Sequence, residues 1–298
     1  MNQMVKKSLS LSPLYSGYMV MMVVIFIWSG FSLTVRAISA SPLTSADVAI
    51  IRFTIPLIIL LPLIPSRLEK IRQLRISDLF LIFMGGLPFF FFGSEGAKTV
   101  PAAYVGTILA GTPPLFVAIL SFLFLKQAIS KKRLISLTLI ILGVISMIAG
   151  QSSAFSAEVF HGLLFLAAGS LIWALYTLGL KRINIDPISV AIVISVASLV
   201  SYLILVATST LPTNFGHFTL QDALPFIIVQ GVGVGVIATV GYSFAVAQLG
   251  SVKSSTIGSI SPALTALLAV PLFNEPLSTT ILIGITCTTI GVIFTNRS

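Results

Sequence analysis

Arg52 and Glu95 are the two charged residues that fall well inside long apolar runs of this chain. A guanidinium in such a place suits recognition of a carboxylate through paired N–H donors; its structural alternative is bonding to helix carbonyls or snorkelling to the interface. Desolvation disfavours the charged form of a carboxyl group, so Glu95 is a candidate proton carrier or gate. Its structural alternative is an ion pair with Lys98 one turn later or with Arg36. Aromatic and hydroxyl residues form a second group, Trp28, Phe31 and Ser32 in one run and Trp173, Tyr176 and Thr177 in another. Spacings of three and four put each trio on one helix face. Stacking surface with a few hydrogen-bonding groups suits a small organic solute, and packing between helices is the competing use. Phe92 lies on the same side of its run as Glu95, and Gln230 and Tyr242 are further candidate contacts. Thr107, Gly111 and Pro114 answer Ser255, Ser259 and Pro262, with the two prolines as candidate hinges, because proline removes a backbone donor and permits a bend.

These residues need elements to hold them, and composition says which kind. Of 298 residues, 56% are apolar and only 8% charged, against about a quarter charged in soluble domains. This excludes a soluble enzyme, a nucleic-acid-binding module and a disordered chain, and leaves an integral membrane protein with lipid as its solvent. The net charge of +9 is too thinly spread for a phosphate-tracking groove. Cys287 stands alone, so no intramolecular disulfide is possible. His161 and His217 match no metal spacing, and neither a nucleophile elbow nor a Walker sequence is present. Neither a cofactor nor a metal nor catalysis is expected, and GVGVG at 231–235 sits inside an apolar run with no soluble strand before it.

A spanning helix needs about 20 apolar residues. Ten runs qualify: 14–38, 43–64, 78–97, 102–125, 134–149, 159–180, 188–208, 223–247, 254–273 and 277–295. Their continuity favours helices over barrel strands, so the fold class is an all-α integral membrane protein with ten transmembrane helices. With both termini cytoplasmic, 14 of the 17 basic residues lie inside, Arg36 and Lys98 lie outside, and Arg52 is within a span. That asymmetry obeys the positive-inside rule and fits an inner or plasma membrane. Arg52 then lies about 14 Å deep, near the midplane.

The sequence also repeats itself. At an offset of 145, IWSGFSLTVRAI (27–38) lies on IWALYTLGLKRI (172–183) and Pro42 on Pro187; at 148, Gly93 lies on Gly241, Pro114 on Pro262, and LGVI (142–145) on IGVI (290–293). The predicted organisation is a tail (1–13), a five-helix repeat (14–150), an external loop (151–158) and a second repeat (159–298). Five is odd, so the repeats are inverted, an arrangement recurrent in secondary transporters.

Five-helix halves with an apolar-Trp-aromatic opening, a central proline and a closing Gly-Val resemble the EamA-type members of the drug/metabolite transporter superfamily. The residues that carry the resemblance are 27–36, 171–182, TPPLFVAILSFLFL (112–125), SPALTALLAVPLFNEPLS (261–278) and the closing ILGVI and TIGVI. One departure is that Lys126 and Gln127 stand where the family often has an acid, which the second half keeps as Glu275. The resemblance implies a carrier of small organic metabolites such as amino acids, often exported, working by alternating access. It also implies a site between helices one, three and four and their counterparts six, eight and nine, with five and ten peripheral. The expected partners are a small-molecule substrate and the lipid bilayer, with protons as a candidate coupling ion. Rival readings are proton-coupled efflux of cationic drugs, which would need Glu95, and a non-transporting membrane scaffold or sensor, against which the short loops argue.

Overall fold

The computed structural model describes residues 13–126, 128–149, 156–183, 185–249, 254, 257, 258 and 260–295, and these contain helices and no strands. The helices are α1 (Pro13–Ala37), α2 (Ser45–Leu60), α3 (Ile64–Arg72), α4 (Ile76–Met84), α5 (Leu87–Ala97), α6 (Ala102–Gly111), α7 (Pro113–Leu125), α8 (Lys131–Ala149), α9 (Ala157–Arg182) and α10 (Pro187–Ala207). There follow α11 (Leu220–Phe226), a π-helix (Ile227–Ala238), α12 (Thr239–Leu249), α13 (Ser261–Phe273) and α14 (Thr279–Thr295). Eight stretches are long and apolar enough to cross a membrane, while Ser261–Phe273 and Thr279–Phe294 are shorter apolar helices. Large apolar side chains such as Phe26, Ile58, Phe124 and Leu267 point outward. Lipid suits that surface, and the helices satisfy their own backbone groups as a lipid environment demands. The protein is an integral membrane protein.

Three spans expected to be continuous are not regular. The third breaks at Gly85–Gly86, ahead of Pro88 in the first turn of α5; the Leu87 N–H beside the break donates to Ser198 Oγ at 2.9 Å, so the backbone stays satisfied. The fourth breaks at Thr112, where Pro113 and Pro114 begin α7. Pro114 and Pro262 therefore stand in the first turns of helices, where a missing N–H leaves nothing unpaired, and not inside helices as kinks. The eighth span passes through the π-helix, which includes Gln230 and Gly231, Gly233 and Gly235. The second span continues past its expected end through α3, a short helix carrying Arg67, Lys70 and Arg72.

The helices pair across the two halves of the chain: α2 against α10, α6 against α13, and α8 against α14. In the last pair the backbones touch. A β-carbon on Gly143 would lie 2.7 Å from the Gly284 carbonyl, and one on Gly291 would lie 2.7 Å from the Ser136 carbonyl. Lys126 and Asn274, 148 residues apart, both close their helices in the left-handed conformation with φ 52°.

Candidate functional site

A cavity of about 600 Å³ lies between the two halves of the bundle, within the range of small-molecule sites. Trp28 enters from α1; Arg52, Phe53 and Pro56 from α2; Gly85 from the α4–α5 break; Trp173, Tyr176 and Thr177 from α9. Val190, Ala191, Ile194 and Ser195 come from α10, Val234, Gly235 and Ala238 from the π-helix, and Thr239 and Tyr242 from α12. The lining reaches Leu180, Ile185 and Pro187 at the α9–α10 junction. Of the expected helices one, three, four, six, eight and nine, the first, third, sixth and eighth contribute to this lining. No described residue of α6, α7 or α13 lines the cavity, while α2 and α10 do. Gly106 and Gly111 of the fourth span let α6 pack closely against Thr265 and Thr288.

Arg52 is 8% exposed. Its Nη1 donates to Gln230 Oε1, and its guanidinium carbon lies 5.1, 5.6 and 5.4 Å from the ring centres of Phe31, Phe53 and Phe90. Gln230 is fully buried; its Nε2 donates to Thr34 Oγ1 at 2.7 Å and to the Phe31 carbonyl at 3.3 Å. Thr34 Oγ1 in turn donates to the Gly30 carbonyl at 2.7 Å. This chain fixes the arginine between α2, the π-helix and α1. Each cation–π contact contributes about 0.5–2 kcal/mol, whereas taking an unpaired charge out of water costs several kcal/mol. The rings and the amide offset this penalty, and no carboxylate pairs with Arg52 among the described residues.

Aromatic pairs make two of the walls. Trp28 and Tyr242 have ring centres 5.1 Å apart, and Trp173 and Tyr176 have theirs 5.0 Å apart. Two glycines set their positions: β-carbons on Gly258 and Gly85 would fall 2.8 Å from the Trp28 and Tyr176 rings. The Thr177 hydroxyl donates to the Trp173 carbonyl at 2.8 Å.

The remaining sequence candidates lie elsewhere. Phe31 is stacked on Phe89 behind Arg52, and Ser32 is buried on α1 outside the lining. Phe92 packs between Phe91 and Phe165. Thr107 is fully buried in α6, with its hydroxyl unpartnered. Ser255 and Ser259 lie outside the described residues. Glu95 does not share the cavity with Arg52: it pairs with Lys98 at 2.6 Å and accepts from the Ser45 hydroxyl at 3.5 Å. Sequence reasoning missed Phe53, Pro56 and the α10 residues, because apolar side chains on an apolar helix carry no signal of which face meets a void.

The two ends of the bundle are tied differently. At one end Arg36 pairs with Glu275 at 3.1 Å, and Glu275 Oε2 accepts the Ala102 N–H at 2.7 Å; Asp47 accepts the Thr213 hydroxyl and, at 3.0 Å, the Asn214 N–H. At the other end Arg182 pairs with Asp78 at 2.5 Å and Arg67 with Asp186 at 3.0 Å. Burial opposes ionisation of Asp186. The Ser189 hydroxyl and N–H, at 2.8 and 3.1 Å, together with Arg67, outweigh it and hold the carboxyl below its usual range.

An all-helical membrane protein with a solute-sized cavity between its two halves has the build of a transporter. The chain belongs to the EamA-like transporter family, which matches residues 15–149 and again 160–297. It is 27% identical over 262 residues to an uncharacterized transporter of Clostridium kluyveri, covering 85% of this chain and 83% of that one. It is 25% identical over 192 residues to the uncharacterized transporter YetK of Bacillus subtilis, covering 63% of this chain and 58% of that one. A crystal structure with 18% identity superposes with a TM-score of 0.63, covering 94% of this chain and 96% of the other; that likeness is one of fold. The protein is a membrane transporter.

Proposed function

We propose that this protein is a secondary active transporter that moves a small organic metabolite, an amino acid or a related compound, outward across the inner or plasma membrane by alternating access. The observation that carries this reading is the cavity of about 600 Å³ formed jointly by α1, α2 and the α4–α5 break on one side and α9, α10, the π-helix and α12 on the other. Outward direction rests on the family resemblance alone. The reading includes ten spans, the two helices Ser261–Phe273 and Thr279–Phe294 being the ninth and tenth, in two inverted repeats (14–150 and 159–298) joined by a loop (151–158), with a cytoplasmic tail (1–13). Several facts support it. The family matches once in each half. The contacts of Gly143 with Gly284 and Gly291 with Ser136 exchange under the 148-residue offset, as a two-fold relation requires. Each inter-element ion pair joins ends that ten spans put on one side. In the orientation given by the basic residues, the cavity extends toward the cytoplasm, and Arg36–Glu275 and the Asp47 contacts lie on the far side.

Counterflow in proteoliposomes, with a metabolite panel and with or without a pH gradient, tests the proposal. Saturable flux that is lost in a folded Arg52→Ala variant is expected, and a response to the gradient would make protons the coupling ion. Normal transport by that variant would remove Arg52 from the mechanism. Absence of flux and of any ligand-induced thermal shift would favour the scaffold reading.

A further inference from the structure

All eight acidic residues of the chain are described, and none lines the cavity. Asp47, Asp78, Glu95, Asp186, Asp222 and Glu275 are each committed to a hydrogen bond or an ion pair elsewhere. Glu69 and Glu158 are exposed, on α3 and in the first turn of α9. Arg52 is the only charged residue of the lining among the described residues. Its one hydrogen bond among the described residues uses a single N–H of Nη1, so Nε and Nη2 meet no acceptor among those residues. A buried guanidinium with spare donors in fork geometry matches a carboxylate. A cationic solute would meet a like charge with no anion to balance it.

We propose that the cavity selects organic carboxylates with an apolar body, the carboxylate on Arg52 and the body between the Trp28–Tyr242 and Trp173–Tyr176 pairs. An ammonium group is not required and gains no ionic partner. This rests on reading the cavity as the substrate site; it narrows the compounds proposed above to those that carry a carboxylate, with or without an amino group, and sets the site apart from one built for cationic drugs. Gln230 is a positioning residue: it holds Nη1 and leaves the other donors turned to the ligand.

Four probes of one size test it in the full-length purified carrier: 3-phenylpropanoate, its primary amide, 3-phenylpropylamine and phenylalanine. Binding is read by tryptophan fluorescence, and exchange by counterflow. The acid is expected to bind at least about tenfold more tightly than the amide and amine, and no more weakly than phenylalanine. Arg52→Gln should reduce the acid to the level of the amide and leave the amide unchanged. Should Arg52→Gln fail to fold, Gln230→Glu serves instead: it supplies a carboxylate to Arg52 from within, at the cost of the Nε2 hydrogen bonds to Thr34 and Phe31, and its folded fraction should no longer bind the acid. Equal binding of amide or amine, tighter binding of phenylalanine, or normal acid binding by either variant overturns the proposal. So does flux confined to cationic or neutral solutes, which would leave the transport reading intact. Arg52-dependent acid binding without flux would uphold the carboxylate site and overturn transport.

Discussion

Gln230 stands 178 residues from Arg52 in sequence and meets its guanidinium in the fully buried layer between α2 and the π-helix. The same amide reaches back to Thr34 on α1. One side chain thereby ties together three helices and orients the only charge that the described residues bring to the cavity.

Removing that tie leaves the Arg52 Nη1 donor and the Phe31 carbonyl acceptor without this partner, which costs about 1–3 kcal/mol. Gln230→Leu is therefore expected to lower thermal stability by this order and to weaken ligand binding as well, because Arg52 is no longer held. Thermal unfolding in detergent and ligand titration on the folded fraction measure the two effects separately. Unchanged stability would show that the amide is dispensable.

Glu95 lies outside the cavity with Lys98 as its partner. Glu95→Gln is expected to leave the rate of transport and its pH profile within twofold of the parent, since a partly exposed pair of this type contributes only about 0–1 kcal/mol. Flux at several pH values tests it, and a lost or flattened pH profile would restore Glu95 as the proton carrier.

The glycine seam between α8 and α14 makes a further prediction. Gly143→Val puts side-chain atoms where the Gly284 carbonyl and Thr288 already lie, and overpacking of this kind costs about 1–3 kcal/mol. Neither helix lines the cavity, so the melting temperature should fall while ligand affinity of the folded protein stays the same.

The carboxyl of Asp186 is held below its usual value by Ser189 and Arg67 against burial. A depressed pKa contributes stability that is fully present above the unfolded value, about 3.9, and is lost as pH falls through the lower folded value. The parent should therefore lose stability on acidification below about pH 4 more steeply than Asp186→Asn. Melting curves across that range test it, and parallel curves would deny the carboxylate this role.

Much of the architecture was legible because lipid punishes charge. Long apolar runs follow from a chain with 25 charged residues, and eight of them are helices long and apolar enough to cross a membrane. Arg52, Trp173, Tyr176, Thr177 and Tyr242 line the cavity with Trp28. Three-dimensional pairing was not legible. The bond from Arg52 to Gln230 depends on the winding of the π-helix, which no apolar run of Ile, Val and Gly announces. Nor could the spacing choose between Lys98 and Arg36 as the partner of Glu95, since both lie at the same end of the bundle; Arg36 takes Glu275 instead. The helix breaks at Gly86 and Thr112 were written in Gly-Gly and Pro-Pro, and were obscured by the continuity of hydropathy through them.

The contact of Gly143 with Gly284, and of Gly291 with Ser136, places main chain directly on main chain. Side chains at an interface can change rotamer and so let two helices slide, which is the basis of shear motion. Bare backbone has no such freedom. A rearrangement of the two halves that preserves this seam must turn about it, as a door turns on its post, and α8 and α14 are the post.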